Sequence, residues 1–280
     1  MVRVQLATVR SGVYTVPMES TQIKKNLTAI TLDAGKILRG YFGKVGVKYN
    51  KGNSLNVVTE ADLAANTFLI KQIQKKYPNH GILSEETGYH QKNRSKNAKN
   101  AEWLWTIDPL DGTLNFSRRI PLFAVMISVS KKSAKSKNRD LRYAAIYDVM
   151  QNELFYAEKG KGAFRNGKRI HGSKKTTWTE TFGLMGGRPK KGNRHLWKAL
   201  IVHAEKEKFG FLSPGSAGIA AAYAAAGRCD WWIGKGGYVW DYAPSVLLLK
   251  EAGYRVTNHD GKPWKWNDRG LIATPPKLHV

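Results

Sequence analysis

The sequence holds one cysteine, Cys229, in 280 residues. A single thiol excludes internal disulfides and any multi-cysteine metal cluster, and it fits a reducing cytoplasm. Long apolar runs are missing as well. Stretches such as Ala217 to Ala226 fall well short of the roughly 18–20 residues that a spanning helix needs, so no membrane element is expected. The first 17 residues, MVRVQLATVRSGVYTVP, break their valines with Arg3 and Arg10 and lack the continuous apolar block of a secretory signal. Residues 1–17 read as a flexible extension. Acidic residues are few: 21 Asp and Glu stand against 46 Lys and Arg, a net charge of +25. That excess draws polyanions, whether nucleic acid, acidic membrane or a phosphorylated substrate. The dense patches at Lys92 to Lys99, Lys131 to Arg142 and Arg188 to Arg194 also contain Asn, Ser or Gly, and each singly reads as a solvated loop.

An apolar share of 42% and nine tryptophans describe a chain able to repay its ordering entropy with a packed core. From Ser20, the spacing of Ile23, Leu27, Ile30, Ala34, Ile37 and Leu38 predicts an amphipathic helix. A turn at Lys51 to Ser54 precedes a second helix over Ala61 to Lys75, with Leu63, Phe68, Leu69 and Ile73 inward. Gly81 to Leu83 reads as a short buried strand that delivers Ser84, Glu85 and Glu86 at its end. Gln91 to Ala101 reads as a surface loop. Strands over Trp103 to Ile107, Leu122 to Ser130, Leu141 to Asp148 and Asn152 to Glu158 suggest a meander, with an Asn-Gly hairpin turn at Asn166-Gly167. Beyond His171, Phe182 to Met185, Leu196 to Lys208, Ala217 to Ala226, Cys229 to Ile233, Tyr242 to Ala252 and Tyr254 to Thr257 alternate strand and helix. An α/β layer beside a mixed first half follows, with a boundary near residues 170 to 180.

Acids gather at the ends of these elements: Asp62, Glu85 with Glu86, Asp108 with Asp111, and Asp241. Buried like charges are costly unless a cation or a proton neutralises them. Oxygen donors without histidine or thiol companions favour Mg²⁺, Mn²⁺ or Ca²⁺ over zinc, with Mg²⁺ first. In "DPLDGTLNF" (108 to 116), Pro109 stiffens the chain between the aspartates, so both carboxylates and the Leu110 carbonyl can face one point. Gly112 permits close backbone approach, and the Gly112 and Thr113 amides, if they open a helix, form an anion site. Taken alone, the fragment also fits a calcium-type loop or a capped turn. Asp62 and Asp241 alone fit helix caps, and Glu86 a solvated neighbour of Glu85. The seven histidines form no ligand-like pair, Cys229 fits a buried small hydrophobe, and Trp264 and Trp266 fit packing better than base stacking.

Six blocks, "VVTEAD" (57 to 62), "GILSEETG" (81 to 88), "DPLDGTLNF", "EKGKGAFRNGKRI" (158 to 170), "GSAG" (215 to 218) and "WDYAPSVLLLKEAG" (240 to 253), together resemble the inositol monophosphatase family in order and spacing. The resemblance runs from about residue 20 to the end. It implies an α/β fold of the α+β kind, a layered αβαβα sandwich of the sugar-phosphatase type. A subdomain over 18–175 would carry most metal ligands, and one over 176–280 would complete the site with Asp241. The resemblance also implies a homodimer that hydrolyses small phosphate monoesters with two or three Mg²⁺ ions, Mn²⁺ being the substitute, and that lithium often inhibits.

By the same resemblance Glu85, Asp108, Asp111 and Asp241 are metal ligands, and Leu110 lends its carbonyl. Thr113 with Asp62 orients the attacking water, Lys51 lies in a mobile loop near the site, and Glu86 supports it. Gly112 and Thr113 hold phosphate through their amides, and Ala217 makes a backbone contact to substrate. Inositol-preferring members carry an acidic residue where this chain has Gly234, followed by Lys235. The segment "GKGGYVWD" thus leaves room for a larger or more anionic leaving group, which Arg188 would help to read. The expected substrate is inositol 1-phosphate or a related sugar phosphate. Fructose 1,6-bisphosphate, a nucleotide 3′(2′),5′-bisphosphate, NADP and histidinol phosphate remain open, and the charge makes RNA association a second expectation from another class.

Overall fold

A computed structural model of the chain describes residues 18–52, 55–90, 101–134, 138–187 and 193–278. The expected extension over 1–17, most of the loop over 91–101, and Arg188 lie outside the described residues. Helix α1, Met18–Tyr41, buries Ile23, Leu27, Ile30, Ala34 and Leu38 on one face, as their spacing requires. Strands β1, Val47–Asn50, and β2, Val57–Thr59, form an antiparallel ribbon, and α2, Glu60–Lys76, follows at once. The stripe that α2 buries is Ala61, Ala65, Leu69 and Ile73, whereas Leu63 and Phe68 are only half-buried. Small residues on that stripe let α2 lie close to α1, so the larger side chains move to its flanks.

Next come β3, Gly81–Ser84, α3, Glu85–His90, β4, Trp103–Asp111, and a single helical turn, α4, Thr113–Ser117. The expected meander continues as β5, Ala124–Lys131, β6, Asp140–Asp148, β7, Glu153–Glu158, β8, Gly162–Arg165, and β9, Lys168–Ile170. All seven strands from β3 to β9 lie side by side in chain order; only β3 and β4 are parallel. The β8–β9 turn is the expected Asn-Gly pair, with φ of 48° at Asn166 and 80° at Gly167, the left-handed conformations that a tight hairpin needs.

A second sheet begins at β10, Phe182–Met185. Helix α5, Arg194–Glu207, β11, Gly210–Leu212, α6, Ala217–Ala225, β12, Trp231–Lys235, α7, Val239–Glu251, β13, Arg255–Thr257, and β14, Gly270–Thr274, complete the fold. The strand order is β11-β10-β12-β14-β13, parallel on the β11 side and antiparallel on the β13 side. Strands β1 and β11 carry no clear sequence signal: β1 is largely exposed and β11 is a short, exposed edge, whereas β14 has an apolar run, Leu271-Ile272-Ala273, that the sequence reading passed over.

Alternation along β5 shows how the layers stack. Val125, Ile127 and Val129 pack with α1 and α2, while Ala124 and Met126 face α6 and α7. The far side of α6 and α7 meets Leu184, Trp232, Leu271 and Ala273 of the second sheet, whose other face buries Met185, Trp231 and Ile233 beneath Leu200 of α5. The layers are therefore α1/α2, sheet, α6/α7, sheet, α5: the expected αβαβα sandwich. Among the described residues no helix is long and apolar enough to cross a membrane.

The central layer tolerates no added bulk. A Cβ at Gly218 would lie 3.0 Å from Ala124 Cβ and from Met126 Cγ. Gly218→Val should therefore lower stability by about 1–3 kcal/mol through overpacking, read from urea unfolding, and should disturb the α6 terminus described next.

Candidate metal centre and active site

Strand β4 carries one residue more than β5 where Asp108 pairs with Met126 and Asp111 with Ala124. The bulge accommodates Pro109, which has no N–H for the ladder, and turns the strand end. Both aspartates thus belong to the buried strand itself, 1% and 7% exposed. Asp108 Oδ1 accepts the Leu110 amide at 3.1 Å. The Asp111 carboxylate is gripped by the first turn of α6: the Ser216 hydroxyl donates to Oδ2, as does the Gly218 amide at 2.7 Å, and the Ala217 amide donates to Oδ1 at 3.1 Å. Asp241 stands in the first turn of α7, where Oδ2 accepts the Tyr238 amide at 2.5 Å. Tyr238 is the N-cap and Asp241, three residues on, closes a capping box, so Asp241 caps its helix from N3 rather than as the N-cap.

Oxygen atoms of Asp108, Asp111 and Asp241 lie within 4.8 Å of one another. Burial, reinforced by the charge of Glu85 and by the neighbouring aspartates, pushes the Asp108 and Asp241 carboxyls well above the ordinary carboxylate range. Asp111 is pushed up by burial to about 6, with the Ser216, Gly218 and Ala217 bonds opposing. Converging oxygens under mutual repulsion, with no nitrogen or sulfur donor among them, fit a small hard divalent cation.

Around this centre the other candidates fall into two groups. Lys51 is buried, its Nζ 2.9 Å from Glu85 Oε1 and 2.8 Å from Glu86 Oε1. Burial lowers the Lys51 pKa, but the two glutamates outweigh it and raise it. Glu86 is therefore a buried ion-pair partner rather than a solvated neighbour. On the other side, Asp62 Oδ2 accepts the Thr59 amide at 2.8 Å and the Thr59 hydroxyl at 2.6 Å, closing a capping box at α2. Thr113 Oγ1 lies 3.0 Å from Asp62 Oδ1 and 2.9 Å from the Leu110 carbonyl, two acceptors for one hydroxyl proton. Asp62 both caps its helix and meets Thr113, and burial pushes its carboxyl up to about 7.

Gly112 has φ of 89°, and a Cβ there would come 2.9 Å from the Leu122 carbonyl, so only glycine lets α4 begin at this point. The Ala217 amide, expected on the substrate side, donates to Asp111 Oδ1. One expectation there needs correction. Gly234 opens no space: a Cβ there would sit 2.9 Å from Tyr242 Cε1 and 3.2 Å from Trp232 Cζ2, because the Tyr242 ring fills the position. The room read from that glycine is taken by a side chain eight positions later. Lys235 ends β12 in line with Trp231 and Ile233, on the α5 face and not on the face where Gly234 meets Tyr242. Cys229 is buried, its thiol pushed up to about 12 by burial.

Sequence reasoning passed over two residues. Ser216 offered a signal, since a Ser before an alanine-rich helix is an N-cap, and its hydroxyl does accept the Ile219 amide at 3.1 Å. Arg269 offered none; its charge nonetheless opposes the upward shift of Asp241.

The family model described as the inositol monophosphatase family matches residues 19–280. The chain belongs to that family. Membership makes it a phosphatase of the metal-dependent kind. Among curated relatives it is 36% identical over 244 residues, 86% of each chain, to the Escherichia coli K12 protein named Nus factor SuhB. It is 32% identical over 245 residues, 88% of each chain, to the fructose-1,6-bisphosphatase/inositol-1-monophosphatase of Thermotoga maritima. The crystal structure of the SuhB protein of Bartonella henselae superposes with a TM-score of 0.81 at 26% identity, covering 92% of this chain and 95% of that one.

Three outcomes follow for the metal-free protein. Asp62 and Asp111 hold protons more tightly folded than unfolded, so their contribution is complete below about pH 4 and is lost as pH rises through about 6 to 7. Asp108→Asn removes one of the repelling charges; at about pH 8 it should raise the metal-free melting temperature by roughly 2–4 °C while abolishing the rise expected when Mg²⁺ is added to the native chain. Lys51→Met should do the reverse, lowering the metal-free melting temperature and enlarging the Mg²⁺ response, because two glutamates lose their internal cation. Differential scanning fluorimetry with and without Mg²⁺ reads both.

Proposed function

We propose that the chain hydrolyses a small phosphate monoester, inositol 1-phosphate or a related sugar phosphate, at the cluster of Asp108, Asp111 and Asp241. The observation that supports this reading is the convergence of those carboxylate oxygens within 4.8 Å, beside the Asp62 and Thr113 pair. Asp108, Asp111 and Asp241, with Glu85 and the Leu110 carbonyl, would hold two or three Mg²⁺ ions, for which Mn²⁺ would substitute. Bound there, a divalent cation supplies charge stabilisation for the phosphoryl group and acidifies water.

The rest falls to the chain itself. The Thr113 hydroxyl orients the attacking water and takes its proton at Oγ1 while passing its own to Asp62 Oδ1. A carboxyl whose pKa lies at about 7 suits a base working near neutral pH. The Gly112 and Thr113 amides hold the phosphoryl oxygens, the phosphorus–oxygen bond to the leaving group breaks, and that oxygen takes its proton from solvent. Positioning and electrostatics, rather than a covalent enzyme intermediate, lower the barrier. Glu86 keeps Lys51 in place beside Glu85. The excess of positive charge favours an anionic leaving group, so fructose 1,6-bisphosphate, nucleotide 3′(2′),5′-bisphosphates, NADP and histidinol phosphate belong in the substrate panel. A homodimer and inhibition by lithium complete the reading, checked by light scattering and by adding lithium chloride.

Phosphate release with Mg²⁺ across that panel should show clear turnover, and Asp241→Asn should lower kcat by on the order of 10³ while circular dichroism stays native. Full activity in Asp241→Asn would overturn the assignment. A second reading, RNA association, is supported by the +25 charge and by the similarity to a protein named a Nus factor. It requires RNA binding near physiological salt that weakens steeply as salt rises and survives Asp108→Asn.

A further inference from the structure

Next to Asp241 an arginine is fixed in a way that its own strand does not need. Arg269 precedes β14, and its backbone carbonyl accepts the Gly236 amide at 2.6 Å. Its side chain then reaches back over the same loop: Nε donates to the Gly237 carbonyl at 2.5 Å, and Nη2 to the Gly236 carbonyl at 3.3 Å. The guanidinium carbon lies 3.8 Å from the centre of the Tyr238 ring. Tyr238 in turn stacks on Trp240, centroids 4.8 Å apart and planes at 15°. Two planar groups that close cannot share one face, so Arg269 and Trp240 flank the Tyr238 ring. A base could not stack on a ring covered on both sides, although Tyr238 is 41% exposed.

Three details suggest a ligand for the guanidinium rather than a staple alone. Arg269 is exposed and makes no ion pair with a carboxylate among the described residues, and Nη1 has no hydrogen-bond partner there. Its rotamer freedom is already spent on two carbonyls and a ring, so an anion meeting it loses little further entropy. The loop that Arg269 grips supplies the Tyr238 amide bonded to Asp241, so this rim borders the proposed reaction centre.

We propose that Arg269 reads a second phosphate on the leaving group, making the preferred substrate a sugar or nucleoside bisphosphate. This rests on the phosphatase reading above. The Thr113 and Asp62 machinery acts on one phosphate while the rim holds the other, and the specificity lost at Gly234, where no side chain fits, passes to the guanidinium.

Matched pairs that differ only in the second phosphate test it: fructose 1,6-bisphosphate against fructose 1-phosphate, and adenosine 3′,5′-bisphosphate against adenosine 3′-phosphate, each with Mg²⁺. In at least one pair the native chain should favour the bisphosphate in kcat/KM, and Arg269→Gln should cut that ratio at least fivefold, chiefly through KM. Arg269→Lys should restore part of the ratio, because charge matters as well as the hydrogen-bonded fork. The preference should also shrink with added salt. No native preference in either pair, or Arg269→Gln slowing both members equally, would overturn the proposal and leave Arg269 as a structural staple. No hydrolysis of any of the four compounds or of inositol 1-phosphate would instead overturn the phosphatase reading, and this inference with it.

Discussion

Repulsion among Asp108, Asp111 and Asp241 is the constraint around which the rest of the molecule is arranged. Left to themselves, buried carboxylates this close would separate or take up protons. Each is instead held by a backbone element that other packing fixes. Asp108 sits in the interior of a seven-stranded sheet, Asp111 is gripped by the first turn of α6, and Asp241 closes the first turn of α7. The amides that hold Asp111 and Asp241 stabilise the charged forms and work against burial, but burial wins at all three sites. What remains is a standing demand for positive charge. Lys51 meets part of it, by Coulomb attraction to Asp108 and by direct contact with Glu85 and Glu86, and Arg269 meets another part at Asp241.

Much of the architecture was legible because burial writes a period into the sequence. The α1 stripe, the meander, the Asn-Gly hairpin and the alternation of the second half all follow from apolar spacing and turn chemistry. Three kinds of information were not there to read. Strands β1 and β11 lie at exposed edges, where pattern is weak, and α4 is one turn long. On α2 the inward face belongs to Ala61 and Ala65, because close helix packing selects small residues and the larger Leu63 and Phe68 mislead a reading by size.

The site divides in the same way. Acids could be found in sequence because clustered carboxylates need a reason, and the blocks around them are local. What each backbone group does depends on partners far along the chain. Ala217 gives its amide to a residue 106 positions earlier, and the volume beside Gly234 is filled by Tyr242. Arg269 is the extreme case: its contacts are with Gly236, Gly237 and Tyr238, some 30 residues before it, and no local pattern announces them.

The central helical layer has a consequence for how such a protein can change. Helices α6 and α7 are the layer that packs on both sheets, and their first turns hold Asp111 and Asp241. Any substitution that shifts these helices is resisted from two sides, so the reacting centre is as conservative as the deepest core. The 236–238 loop and Arg269 lie at the margin of one sheet, and much of their contact is with each other. On the reading proposed above, exchanging one leaving group for another is thus open to a few rim residues, while a different bond-breaking chemistry would require rebuilding both sheets at once.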